Sequence, residues 1–249
     1  MIFTIGLREL KSLFLSPLAW SILAVVQLIL AYLFLGRIEI IQMYQAQLMA
    51  MDGAPGVTEI ILPDLLGNAA IILLLVVPLL TMRLVAEERR NRTLSLLFSS
   101  PLSMTEIVLG KYLGILLFLL VLLALIALMP LSLLAGARLD FGLLAASFLG
   151  LALLLAGFAA VGLFMSTLTQ YTTVAAISTF GALLLFWILD WSGQGFAGGN
   201  WLAYLSLFNH YKPFLDGIFD SADAVYHVLL ITTFLVLSIH RLDADRLGG

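Results

Sequence analysis

Charge is scarce in this chain, and it gathers in one place. Arg83, Glu87, Glu88, Arg89, Arg90, Arg92, Glu106 and Lys111 stand within one stretch flanked by two long apolar runs. The chemistry such a segment offers is recognition by charge, because the signatures of catalysis are missing. There is no G-x-x-x-x-G-K-[ST] phosphate loop, since Gly110-Lys111 lacks the preceding glycine. The three histidines, His210, His227 and His240, form no metal-binding spacing. His210 alone stands out, beside Tyr211 and Lys212, and a satisfied interfacial histidine is its better reading. His227 and His240 fall at the outer and inner ends of the last apolar run and read as interfacial. Cysteine is absent, which excludes a disulfide framework, a cysteine metal site and thiol chemistry.

The elements that must position this charge are apolar. Hydrophobic residues make up 62% and charged residues 11% of the 249, with a mean hydropathy of +1.12. A soluble domain carries about twice that share of charge, so the chain falls in the membrane class. The net charge of −3 points to neither nucleic acid nor an acidic substrate. Crossing the hydrocarbon core takes about 20 mainly apolar residues. Six runs meet or approach this: Leu18–Gly36, Gly67–Val85, Ile107–Ala135, Phe141–Leu168, Thr173–Trp191 and Ala224–Ile239. The fold class expected is all-α, a polytopic membrane protein whose single domain spans the bilayer six times. The first run is too long for a signal peptide, and no small-x-small site precedes Arg37. With a cytoplasmic N-terminus, nine of the twelve Lys and Arg lie inside, and only Arg37, Arg138 and Lys212 lie outside. Both termini are then cytoplasmic.

Shorter elements follow from local pattern. Ile2, Phe3, Gly6, Leu7, Leu10, Leu13 and Phe14 share one helical face, while Arg8, Lys11 and Ser12 share the other, with Glu9 between them in the chain. Residues 1–16 therefore read as a helix in the cytoplasmic interface, turned at Ser16-Pro17. Residues 86–106 form the cytoplasmic segment: a soluble stretch, an apolar patch of Leu94, Leu96, Leu97 and Phe98, and a break at Ser99-Ser100-Pro101. Ser103 then caps a new helix, with Glu106 placed for a capping box. Lys111 is expected to snorkel to the interface. An ordinary positive-inside loop accounts for the charges equally well, but it has no need of the apolar patch. On the outer side, Ile38, Ile41, Tyr44, Gln45 and Leu48 keep roughly helical spacing up to the Gly53-Ala54-Pro55-Gly56 break. Residues 192–223 are too apolar for a solvated loop and read as short helices dipping into the outer interface. Trp187, Trp191, Trp201 and Tyr204 also suit an aromatic belt.

Ionisable groups are absent from the middle of every run, which argues against an ion-coupled carrier. The deepest polar groups are Gln27, Ser147, Ser178, Thr179, Thr232 and Thr233. The hydroxyls read as helix-packing groups. Gln27 requires a partner across a helix or subunit contact. Gln27, Ser178 and Thr179 are the candidates for a subunit contact or pathway. Pro78 and Pro130 are expected to kink the second and third spans.

The central segment resembles that of type-2 ATP-binding-cassette (ABC) permeases, and within them the GldF-like group first named for gliding motility. Met82, Arg83, Ala86, Glu87, Glu88, Arg89, Thr93, Leu96, Leu97 and Pro101 carry the likeness, together with Glu106-Ile107-Val108-Leu109-Gly110-Lys111. Arg92 and Ser95 depart from it, standing where glycine and glutamate are usual. Glu9-Leu10-Lys11-Ser12 and Ser16-Pro17-Leu18-Ala19 resemble the family's start. His210, Phe214, Gly217, Asp220, Asp223 and Tyr226 fall on a pattern seen before its last span. The resemblance implies that residues 1–16 and Arg83, Glu87, Glu88, Arg89, Arg90, Thr93, Leu96, Leu97, Pro101 and Glu106 connect to an ATPase subunit. It also implies two ATPase copies holding ATP and Mg, and a second permease, identical or related. This chain itself would bind no cofactor and catalyse no reaction. An exporter in the bacterial cytoplasmic membrane is expected, moving an amphipathic lipid-like or peptide-like cargo. The alternative is a mechanochemical subunit acting on an envelope partner without moving cargo. A periplasmic accessory protein is compatible with either.

Overall fold

In the computed structural model, the described residues are 1–44, 56–93, 102–136, 139–192 and 204–247. Among them every regular element is helical. They are α1 (Ile2–Leu15), α2 (Pro17–Met43), α3 (Val57–Thr81), α4 (Ala86–Arg90), α5 (Met104–Ser132), α6 (Phe141–Leu168), α7 (Thr172–Ser192), α8 (Leu207–Leu215) and α9 (Ser221–Leu247), with a 3-10 turn at Leu133–Ala135. Six are long and apolar enough to cross a membrane: α2, α3 with its continuation to Arg90, α5, α6, α7 and α9.

Local chemistry sets the boundaries. Pro17 occupies the first turn of α2, where its missing N–H goes unused. Ser103 caps α5 as its spacing predicts: its hydroxyl accepts from Glu106 N at 3.2 Å, and Glu106 Oε2 accepts from Ser103 N at 3.1 Å. Two helices outrun their apolar patterns. α2 continues through Arg37 to Met43. α3 starts at Val57, well before Gly67, because Glu59 reaches back to accept from Gly56 N at 3.2 Å. Pro63 and Asp64 break the apolar pattern there without breaking the helix.

The bundle is built around α6, which packs against α3, α5, α7, α8 and α9. In the most apolar part of α3 and of α6, 61% of residues are buried, against 33% in α2, 22% in α9 and 17% in α7. The last three are therefore peripheral and turn apolar faces outward, as lipid permits. α1 lies along α5 at a distance only glycine allows. A Cβ on Gly110 would sit 2.6 Å from that of Ile5, and one on Gly114 equally close to that of Glu9. Ile5, Gly6, Leu10 and Leu13 turn toward this seam, while Phe3 and Leu7 remain exposed.

The hydroxyls of Ser178 and Thr179 bond to Ala175 O, and Thr232 and Thr233 bond to Val228 O and Leu229 O. They are satisfied within their own helices, so the packing role expected of them does not need their polarity. Ser147 does bridge helices, donating to Phe214 O at 3.0 Å. Gln27 Nε2 is buried without a partner among the described residues.

Candidate functional site

The charged segment folds as a turn and a short helix at one end of the bundle. α3 stops at Thr81, and Met82 to Val85 form a turn before α4. The backbone groups freed there converge on the hydroxyl of Ser166 in α6. It accepts from Val85 N and Ala86 N, both at 3.0 Å, and donates to Met82 O at 3.1 Å. A helix normally finds its N-terminal cap on its own chain neighbour; here the cap arrives from another span. Nothing in the local sequence signals it.

α4 has two sides. Its inner side is locked by ion pairs. Lys111 Nζ donates to Glu9 Oε1 at 2.8 Å and to Glu88 Oε1 at 2.7 Å, with its side chain only 3% exposed. The expectation that Lys111 snorkels outward is corrected: the glycine seam brings Glu9 over it, and two carboxylates hold it inside. Arg89 pairs with Asp245 of α9 and donates to Thr167 O at 2.8 Å. Arg241 also reaches Asp245, at 3.5 Å. The outer side carries Glu87 and Arg90, both exposed. Opposed acids at the start and bases at the end of α4 also suit its dipole.

The end of α4 explains a departure seen in the sequence. Thr93 N donates to Glu88 O at 3.0 Å and Arg92 N to Arg89 O at 3.2 Å, the two bonds of a Schellman motif. That motif needs a left-handed residue at its turn, and Arg92 supplies it with φ 56°. Glycine, usual here in the family resembled, would adopt it without strain.

The remaining residues singled out in the sequence spread around this end. Arg83 donates to Ser16 Oγ at 3.1 Å, tying α3 to the start of α2. Arg8 and Lys11 are exposed on α1, whereas Glu9 faces inward. Arg8, Glu9, Arg83, Glu87, Glu88 and Lys111 border a polar cleft of about 400 Å³. Leu96, Leu97 and Pro101 lie outside the described residues.

The opposite end is held differently. α8 is packed on α6, where Gly150 leaves room for the ring of Phe214. Tyr211 donates to Leu66 O at 3.1 Å, and burial holds its phenol well above its ordinary range, so it stays a donor. His210 Nε2 donates to Tyr204 O at 2.9 Å, and its Nδ1 faces Asp223 Oδ1 at 2.6 Å. The ring of Tyr226 stacks on His210 with centroids 3.9 Å apart. Asp220 accepts from Ala222 N at 2.9 Å at the start of α9, and Gly217, at φ 77°, ends α8. His227, near the outer end of α9 as the sequence suggests, is fully buried on the packed side of that helix.

Six candidate spans with α6 at their centre, and a charged helix clipped to one end, make a multi-pass membrane domain. Residues 37–239 match the family described as ABC-2 family transporter protein, and the chain belongs to that family. Membership implies an ABC ATPase as a separate partner chain. A comparison with curated proteins gives no match.

Proposed function

We propose that this chain is the permease subunit of a GldF-like ABC exporter in the bacterial cytoplasmic membrane, with both termini cytoplasmic. In that arrangement two ATPase copies bind ATP and Mg beneath two permease chains, identical or related, and an amphipathic lipid-like or peptide-like cargo passes between them. The single observation that carries the reading is the two-sidedness of α4. Glu88 and Arg89 fasten it to α1, α5, α6 and α9, while Glu87 and Arg90 are exposed. A partner that grips the outer side moves four helices through the inner side.

The test is the Glu87→Ala/Arg90→Ala double variant. Neither residue belongs to the internal ion pairs, so the melting temperature should stay within about a degree of wild type, as surface changes generally allow. ATPase stimulation in the co-purified complex should fall several-fold. Unchanged stimulation and retention of the ATPase would overturn the docking role of α4.

A further inference from the structure

The end of α2 and the start of α3 enclose a second cavity, of about 290 Å³, far from the charged helix. Its polar corner holds Arg37, Asp64 and Asn68; its walls are apolar, among them Leu33, Ile40 and Ile61. Arg37 Nη2 pairs with Asp64 Oδ2 at 2.5 Å. Arg37 Nε is buried and has no acceptor among the described residues. The rest of the pair can be reached from outside: the Arg37 and Asp64 side chains are 37% and 46% exposed.

The depth of this corner is fixed by geometry. Ser16 and Arg83 are hydrogen-bonded at one end of the α2–α3 pair, and Arg37 and Asp64 are ion-paired at the other. At 1.5 Å per residue the two contacts stand about 30 Å apart along α2 and about 28 Å along α3. That separation is the thickness of the hydrocarbon core. The Arg37–Asp64 corner therefore lies where lipid headgroups begin, and Tyr32 and Leu33, which precede Arg37 on α2 and lie deeper, are exposed toward the acyl region.

We propose that this cavity is a binding site for a zwitterionic phospholipid whose headgroup carries a primary ammonium, as phosphatidylethanolamine does. The phosphate accepts from the guanidinium of Arg37, and the ammonium donates to the Asp64 carboxylate. The first acyl carbons lie against Tyr32 and Leu33, which stand inward of the ion pair on α2. The charge pattern discriminates among headgroups. A choline headgroup has no N–H to give Asp64, and a glycerol headgroup has no cation at all. The cavity is sized for a headgroup and the top of its chains. The inference rests on the membrane reading alone and stands whatever cargo the transporter moves.

The test uses the full chain in nanodiscs of equal parts phosphatidylethanolamine, phosphatidylcholine and phosphatidylglycerol with matched acyl chains, released into a native mass spectrometer. One phosphatidylethanolamine adduct is expected to exceed the other two by about tenfold, the ratio that a charge-assisted hydrogen bond can supply. Arg37→Gln and Asp64→Asn should each lower that preference several-fold. Lys212→Gln, which removes a cation elsewhere in the outer segment, should leave it unchanged. Gly36→Leu keeps the ion pair and adds a side chain where nothing lies within 4 Å, so it fills the cavity without disturbing the helix. It too should lose the adduct. Equal adducts for all three lipids, phosphatidylglycerol bound as well as phosphatidylethanolamine, or a preference that survives Gly36→Leu would each overturn the proposal.

Discussion

The two short helices, α4 at the charged end and α8 at the opposite end, solve the same problem by different means. Each must be fastened to the bundle, and each ends in a Schellman motif. In α8, Gly217 N donates to Phe214 O at 3.1 Å and Ile218 N to Pro213 O at 2.9 Å, with glycine at the left-handed turn. In α4, the same pair of bonds closes around Arg92. α8 is fastened mainly by neutral contacts, Tyr211 on Leu66 O, Ser147 on Phe214 O and a ring seated on Gly150, beside the one contact of His210 with the Asp223 carboxylate. α4 adds to its Ser166 cap the ion pairs of Lys111 and Arg89 with their carboxylates. Neutral packing falls off steeply with displacement, whereas an ion pair weakens gradually with distance. The end expected to be immobile is locked mainly by shape, and the end expected to transmit motion mainly by charge.

The sharpest way to break this comparison is Lys111→Ala. Removing the one cation leaves Glu9 and Glu88 facing each other in a largely buried site, and breaking such a pair costs about 3–5 kcal/mol. Partial exposure of the two carboxylates places the expected loss near the lower figure, about 3 kcal/mol, read as thermal unfolding in nanodiscs. Glu9→Gln/Lys111→Met/Glu88→Gln should recover most of it, because no uncompensated charge remains. A Lys111→Ala protein with wild-type stability would show that the charged lock is ornamental.

At the other end, Tyr211→Phe removes one donor and leaves Leu66 O without it. The expected loss is about 1–2 kcal/mol, with no effect on ATPase stimulation. A larger change in stimulation than in stability would mean that α8 takes part in coupling after all.

The smallest effect tests the shared motif. Arg92→Gly should stabilise the protein by about 1 kcal/mol, the strain of a left-handed residue with a side chain. Gly217→Ala should destabilise it by a similar amount. Its Cβ would also lie 3.1 Å from Leu143 Cδ1. Opposite signs in the two melting temperatures support equivalence of the two turns; matching signs refute it.

How much of this was legible in the sequence follows from distance along the chain. The cap of α5 needs only Ser103 and Glu106, three residues apart, and could be read directly. The six spans could be read as well, because bilayer thickness sets their length. Lys111 could not be read correctly. Its partners are 102 and 23 residues away, and a lysine near a helix start ordinarily reaches for the interface. Ser166 is one serine in an apolar run, and its role depends on a turn 80 residues earlier. The early start of α3 was hidden by Pro63 and Asp64, which look like a loop until Arg37 is placed beside them. Arg92 was visible as a departure from a resemblance, but only the backbone angle gives it meaning.

Three hydrogen bonds that meet on one oxygen have a mechanical consequence. The Ser166 hydroxyl holds Met82, Val85 and Ala86 to a single point on α6. Pulling α4 straight off that point stretches every bond at once. Tilting α4 about it changes their angles and leaves their lengths nearly as they were. A force applied along the short helix is thus resisted, and a force across it becomes rotation: Ser166 is a pivot, with Glu88 and Arg89 on the arm that swings.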